Sequence, residues 1–381
     1  MWEHGFESRW RYMYILGIET SCDDTAAAII EAKGGFNKPS FSVLANTSYS
    51  QVTIHKKFGG IVPNLASRAH LEKIGLTVKT ALSIHRINIG KIDLIAVTYG
   101  PGLLPSLLVG VNFARALAYK WQKPIIGVNH IEGHIYSNWL GQERAGEIRF
   151  PALILIVSGG HTELVLMKDY GKYKIIGETL DDAGGECFDK TARILGLGFP
   201  GGPAIARLAD KWEKNELFRT HRLPIGQKCV HIEQTDWQIE LPRPMINSKD
   251  YNFSFSGLKT AVLYLYNDLV KKYSKEKIVP AMAAEVQNAI VDVLIAKTVK
   301  AAKNLNPKTV MIAGGVSANK ALREKMAREL ESYKIPFLMP DISYTTDNAA
   351  MIAAAGYFNY LKKKPNRDSW KKVGANANLK L

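Results

Sequence analysis

The segments ILGIETSCDDTAAAII (residues 15–30) and ILIVSGGHTELVLM (residues 154–167) share one pattern. Each opens as an apolar run, breaks at a turn built from Gly, Ser, Thr or Asp, and resumes as an apolar run. Apolar runs of this length bounded by turn signals predict buried strands. Each segment therefore predicts a strand, a tight turn and a return strand. Two such hairpins, one in each half of the chain, point to a duplicated domain.

Outward from these hairpins, strands and helices alternate. Residues 92–98, 124–128 and 309–313 read as further buried strands. Helices are predicted over 65–81, 107–121, 130–140, 186–195, 203–214, 258–272, 280–304, 318–330 and 348–361. Such alternation predicts an α/β architecture. The polar stretch 141–149 reads as a boundary. It gives a first domain over 13–150, onto which the closing helix 348–361 packs back, and a second over 151–347. Residues 1–12 read as an extension ahead of Met13, residues 221–257 as an irregular surface excursion, and residues 362–381 as a basic, solvated tail.

Composition excludes several classes. The chain has 381 residues, 46% apolar and 22% charged, enough for two domains with sizeable cores. Cys22, Cys187 and Cys229 form no CxxC pair, which argues against a disulfide framework or a four-cysteine zinc site and fits a reducing compartment. The central apolar run, 152–157, falls far short of the roughly 20 residues a membrane helix needs. Charges at Glu3, Glu7, Arg9 and Arg11 interrupt any signal-peptide core. The expectation is a cytoplasmic protein with no membrane partner. Fifty Lys and Arg against 35 Asp and Glu give a net charge of +15, which attracts polyanions such as nucleic acid.

Four constellations can carry chemistry. The turn Glu19-Thr20-Ser21-Cys22-Asp23-Asp24-Thr25 gathers hydroxyls, carboxylates and backbone N–H groups, as an anion nest does, and as an ordinary hairpin turn also does. In Ser158-Gly159-Gly160-His161-Thr162, paired glycines after a buried strand let a ligand approach the backbone; no GK[ST] follows, so it is not a Walker A loop. Gly314-Gly315-Val316-Ser317-Ala318-Asn319 sits at a strand-to-helix junction, where Asn319 can cap the helix or contact a ribose. His130 and His134, four residues apart, share a helix face and can ligate one metal, although such spacing also arises by coincidence. Glu132 lies on another face, so this is not the HExxH arrangement of zinc peptidases. Asp347, just before the last helix, is the best third ligand. The stretch Phe253-Ser254-Phe255-Ser256-Gly257-Leu258-Lys259 suits stacking on RNA or, more simply, packing of both rings in a core.

Taken in order, GIETSCDDT (17–25), GGIVPNLASRAH (59–70), GPGLLPSLLVG (100–110), NHIEGH (129–134), VSGGHTEL (157–164), DDAGGECFDK (181–190), GLGFPGGP (196–203), FSFSGLKTA (253–261), AGGVSANKALR (313–323) and TDNAAMIA (346–353) resemble the TsaD family. These are tRNA adenosine threonylcarbamoyltransferases, formerly described as O-sialoglycoprotein endopeptidases. The resemblance implies an actin-like ATPase (ASKHA) fold, two duplicated α/β domains around a nucleotide-binding cleft. It implies transfer of an L-threonylcarbamoyl group from threonylcarbamoyl-AMP to N6 of the adenosine 3′ of the anticodon in tRNAs reading ANN codons, with release of AMP. It further implies one divalent metal, Fe2+ or Zn2+, on His130, His134 and Asp347. Ser158, Gly159, Gly160, His161, Thr162, Asp189, Gly202 and Asn319 match the substrate contacts. Asp23 and Asp24 are candidates to take the proton of the attacking amine. Asp24 stands where many bacterial members carry Glu, and Asn64 also stands where Glu is frequent. His161 is the bacterial-type residue, and Ile156 replaces a tyrosine of archaeal and eukaryotic relatives, so no tyrosine ligand is expected. Bacterial relatives act with a paralogous TsaB-like subunit and a TsaE-like ATPase.

Three alternatives belong to other classes. A metallopeptidase would use the histidine pair but lacks the HExxH base. A small-molecule kinase of the same fold would use the 19–25 turn for phosphate but leave the histidines without a purpose. A non-catalytic partner subunit would have no need of the metal residues.

Overall fold

A computed structural model describes residues 12–141, 148–214 and 239–381. The alternating elements sort into two compact units. The first holds residues 12–50, 63–141 and 347–380; the second holds 51–62, 148–214 and 239–346.

In chain order the elements begin with β1 (Met13–Glu19), β2 (Asp24–Lys33), β3 (Ser40–Ser50) and the short α1 (Val52–His55). Then come α2 (Pro63–Ile84), β4 (Leu94–Gly100), α3 (Leu104–Trp121), β5 (Ile125–Asn129) and α4 (His130–Tyr136). The second half follows with β6 (Ala152–Val157), β7 (Thr162–Asp169), β8 (Lys172–Glu178), α5 (Gly184–Ile194) and α6 (Gly201–Lys214). It continues through α7 (Ser256–Leu269), α8 (Lys275–Leu305), β9 (Thr309–Ala313), α9 (Lys320–Glu331), β10 (Phe337–Leu338) and α10 (Ala349–Lys362).

The duplication is visible in the sheets. The first has the order β3-β2-β1-β4-β5 and the second β10-β9-β6-β7-β8. Each is an antiparallel three-strand meander whose first strand also pairs in parallel with one later strand, which in turn pairs in parallel with another. The two hairpins of the sequence are β1–β2 and β6–β7, at the same place in each sheet. The third strand of each meander, β3 and β8, falls outside the expected strands. Both lie at sheet edges and alternate exposed with half-buried residues, so neither shows an apolar run.

In the first unit, α2 and α3 cover one face of the sheet around Ile18, Ile29, Val97 and Val111. The other face receives α10, buried from Ala349 to Phe358. Gly17 makes this approach possible, since a Cβ there would lie 2.1 Å from the Ala349 carbonyl oxygen. In the second unit the core joins β6, α5 and α8. By length and composition α8 could cross a membrane, but most of its apolar span is buried.

Two helix boundaries and the tail differ most from expectation. The helix expected over 130–140 ends at Tyr136 and tightens into a 3-10 turn over Ser137–Trp139. The helix expected from 280 begins at Lys275 and carries Pro280 inside it. The C-terminal residues are not a solvated end: Ile125 N donates to Ser369 Oγ, and Asn376 N donates to the Tyr99 carbonyl. Phe253 and Phe255 are fully buried in the core. Most of the expected extension (1–11), part of the boundary (142–147) and part of the excursion with Cys229 (215–238) lie outside the described residues.

Candidate functional site

In parallel α/β sheets, ligand-binding groups gather beyond the carboxyl ends of the strands. In the first unit those ends bring together Glu19 from β1, His130 directly after β5, and Asp347 directly before α10.

Two asparagine caps set the geometry. Asn129 Oδ1 accepts from Ile131 N and Glu132 N, starting α4 at His130. Asn348 Oδ1 accepts from Met351 N, starting α10 just after Asp347. Side-chain oxygens at this position satisfy N–H groups that the first helical turn leaves without partners. Within α4, His130 and His134 fall on one face, with ring centroids 4.6 Å apart. Asp347 Oδ1 lies 3.5 Å from His130 Nε2 and 3.2 Å from His134 Nε2. Glu132 faces α10 instead, where it accepts from Asn359 Nδ2.

These residues fit a metal ion. One ligand atom from each of the three lies within 4.8 Å of the others. Ligands about 2.1 Å from a tetrahedral ion stand about 3.4 Å apart, close to the two separations above. His134 is fully buried, and among the described residues its Nδ1 has no hydrogen-bond partner while its Nε2 faces only the Asp347 carboxylate. A buried imidazole without hydrogen bonds is costly unless something else takes its lone pair. Two nitrogens and one oxygen suit a borderline transition metal and leave coordination positions open.

A buried carboxylate stands behind the histidines. Glu19 is fully buried. Its Oε2 accepts from Thr98 Oγ1 at 2.6 Å and lies 3.0 Å from His130 Nδ1, while Oε1 accepts from Ser21 N. This bond to Nδ1 turns His130 Nε2 toward Asp347, the arrangement by which a carboxylate orients a metal-ligating histidine. Burial alone pulls His130 down, but the Asp347 and Glu19 carboxylates outweigh it and push its pKa up to about 9. A metal ion held here would have to expel a proton. Burial, helped by neighbouring His130, holds His134 below the ordinary histidine value. Sequence reasoning quoted Glu19 but gave it no task. The available signal was a lone carboxylate ending an otherwise apolar strand.

Asp23 lies in the turn that follows Glu19, and Asp24 begins β2. Burial, then the charges of Asp347 and Asp23, push the Asp24 carboxyl up to about 7.

The second unit gathers different groups at the corresponding strand ends. Ser158 N donates to the His161 carbonyl, and Ser158 Oγ accepts from His161 N, which closes the turn after β6. Gly159 and Gly160 face open space. Thr162 Oγ1 accepts from Gly184 N at the start of α5. Gly314 has φ +88°, and a Cβ on it would sit 2.4 Å from the Val157 carbonyl oxygen; the Gly314 loop thus lies directly against the end of β6. Asp189 Oδ1 accepts from Gly201 N, beside Gly202. Asn319 caps α9 through Leu322 N and donates to Gln287 Oε1, so its polar groups also serve the unit's own structure.

The family model described as TsaD: tRNA N6-adenosine threonylcarbamoyltransferase matches residues 42–354. The protein named tRNA N6-adenosine threonylcarbamoyltransferase from Thermosipho africanus (strain TCF52B) is 45% identical over 370 residues, covering 97% of this chain and all of that protein. Its namesake from Bacillus subtilis (strain 168) is 46% identical over 352 residues, covering 92% and 91%. Among solved structures, full-length HypF in the phosphate- and nucleotide-bound form aligns with TM-score 0.50 and 14% identity, over 93% of this chain and 47% of that one. The duplicated units are those of the actin-like ATPase fold. The relatives' shared name sets aside the peptidase and kinase alternatives. The chain belongs to the TsaD family of tRNA N6-adenosine threonylcarbamoyltransferases, and its reaction forms threonylcarbamoyladenosine in tRNA.

Proposed function

We propose that the donor is threonylcarbamoyl-AMP and that the acceptor is N6 of the adenosine 3′ of the anticodon in tRNAs reading ANN codons. AMP is the leaving group. The observation that carries this reading is the meeting of His130, His134 and Asp347 at the carboxyl ends of the first unit's strands. His130, His134 and Asp347 would hold an Fe2+ or Zn2+ ion, which would supply Lewis acidity toward the threonylcarbamoyl carbonyl.

The remaining work falls to the chain's own residues. His130, His134 and Asp347 hold the ion, and Glu19 fixes the orientation of His130. Ser158, Gly159, Gly160, His161 and Thr162 offer hydroxyl and backbone groups to the donor, together with Asp189, Gly202 and Asn319. Gly184, at the start of α5, adds a helix N-terminus of the kind that favours phosphate. An exocyclic adenine amine is a weak nucleophile, so positioning carries much of the rate. Its proton passes to Asp23 or Asp24; a carboxyl near pH 7, as at Asp24, suits a general base. The reading includes action in the cytoplasm, with a TsaB-like subunit and a TsaE-like ATPase as partners.

The test combines purified protein, threonylcarbamoyl-AMP and unmodified tRNA, with and without those partners. Nucleoside mass spectrometry follows threonylcarbamoyladenosine. Product that disappears with His134→Ala supports the reading. Product unaffected by that substitution would sink the metal assignment, and no product under any condition would sink the donor assignment.

A further inference from the structure

Part of the charge excess lies where the reaction chemistry does not use it. Residues 361–381 hold seven cations and one carboxylate, in a chain whose whole excess is +15. The segment after α10 is a strap bound along the first unit. Arg115 Nε donates to the Trp370 carbonyl, and the Tyr119 and Trp370 rings meet edge to face at 5.1 Å. Ser369 Oγ accepts from Ile125 N at the start of β5, the edge strand of the sheet. Farther along, Asn376 N donates to the Tyr99 carbonyl, and the Ala377 carbonyl accepts from Gly102 N. At its far end the Lys380 carbonyl accepts from Asn129 Nδ2. Asn129 is the cap of α4 and precedes the ligand His130 in the chain.

These ties use backbone groups, Ser369 and Trp370. They leave the cations of Lys363, Lys364, Arg367, Lys371, Lys372 and Lys380 on exposed residues. Covering an edge strand explains the backbone ties. It does not explain why the exposed side is so uniformly basic. Six exposed cations cluster over residues 362–372, where the segment ties to the edge strand β5, and Lys380 follows where the segment meets the cap of α4; this charge fits a polyanion whose reactive group must reach that helix.

We propose that this strap is a phosphate-binding rail for the tRNA substrate. The proposal rests on the tRNA reaction above and adds the surface that holds the RNA. Fixed cations on phosphates release counterions, so binding through them weakens steeply with salt.

The test uses the full-length chain with Lys363, Lys364, Arg367 and Lys372 replaced together by Gln; Lys371 keeps its pairing with Asp368. Binding of unmodified tRNA is measured across 50–200 mM salt, alongside melting temperature and metal content as folding controls. The expected result is about 10- to 100-fold weaker binding at about 100 mM salt, with a log–log salt slope shallower by about 2–3. Unchanged affinity and slope in a folded variant would overturn the proposal and leave the strap as an edge cover. Capture of anionic lipid vesicles that is lost in the variant, while tRNA binding is kept, would overturn it in favour of a membrane surface. If the variant does not fold, lysine acetylation of the unaltered protein decides: tRNA should protect Lys363, Lys364 and Lys372, and equal labelling with and without tRNA overturns the proposal. Formation of threonylcarbamoyladenosine by the unaltered protein is assayed in the same preparation. Its failure would count against the reaction, whereas unchanged tRNA affinity in the variant counts against the strap alone.

Discussion

The two units share a sheet order and place their polar groups at the same strand ends, yet they equip those ends differently. After β1 the turn carries Glu19, Asp23 and Asp24, joined by two histidines and Asp347. After β6 the corresponding turn carries Ser158, two glycines and His161, joined by further glycines from α5 and the Gly314 loop. The first set is rich in carboxylates and buried or half-buried, suited to a cation. The second is neutral and open at Gly159 and Gly160, suited to a group that needs hydrogen bonds and close backbone approach. The duplication thus supplies one scaffold twice, with different residues at equivalent strand ends.

The comparison breaks most sharply at His134. His134→Ala removes a buried ligand, and we expect metal content to fall to background and product formation to drop at least about 1000-fold. Metal analysis and nucleoside mass spectrometry check both halves, and near-normal turnover would mean that the first unit does not work through a cation. The matching change in the second unit is Gly185→Val. A Cβ there lies 2.3 Å from the Ser158 carbonyl oxygen, so the Ser158 turn must shift. Displacement by about 1 Å should cost about 100-fold in donor turnover while metal content stays normal. Lost metal binding in that variant would refute the division of labour. A finer probe is Glu19→Gln, which keeps the shape but weakens the grip on His130 Nδ1. Metal affinity, read by competition with a chelator, should fall about 10- to 100-fold.

Much of this contrast is legible in the sequence. Apolar runs that stop abruptly at polar turns mark β1, β2, β6 and β7, because such strands are buried on both faces. The histidine pair shows through its helical spacing. Other features depend on what lies across the fold. Locally Glu19 shows only as a carboxylate ending an apolar strand; its task follows from Thr98 and His130 arriving from other elements. β3 and β8 are hidden because an edge strand exposes polar residues. The C-terminal strap reads as charge alone, since its attachment is mostly through backbone groups that side-chain composition cannot report.

The smallest expected effect opposes two half-buried acids, one from each unit. Asp24 has a carboxyl raised to about 7, mainly by burial. An unfolded Asp titrates near about 3.9, so below pH 4 both states hold the proton and nothing is lost. As pH rises from 4 to 7 the unfolded chain ionises first, and the metal-free folded protein loses stability. The gap sets a ceiling of about 4 kcal/mol, and partial exposure of the site reduces it to about 2 kcal/mol. Asp24→Asn keeps the neutral shape. The metal-free variant should therefore exceed the parent by about 2 kcal/mol at pH 8 and match it at pH 4, measured by denaturant unfolding. Asp189 is also raised by burial, but its carboxylate accepts from Gly201 N and starts α6. Removing that oxygen with Asp189→Ala should cost about 1 kcal/mol rather than add stability. Opposite signs would show that the first unit's acid is held against its own stability while the second unit's acid builds the fold. Destabilisation by both changes at pH 8 would mean that Asp24, too, is structural.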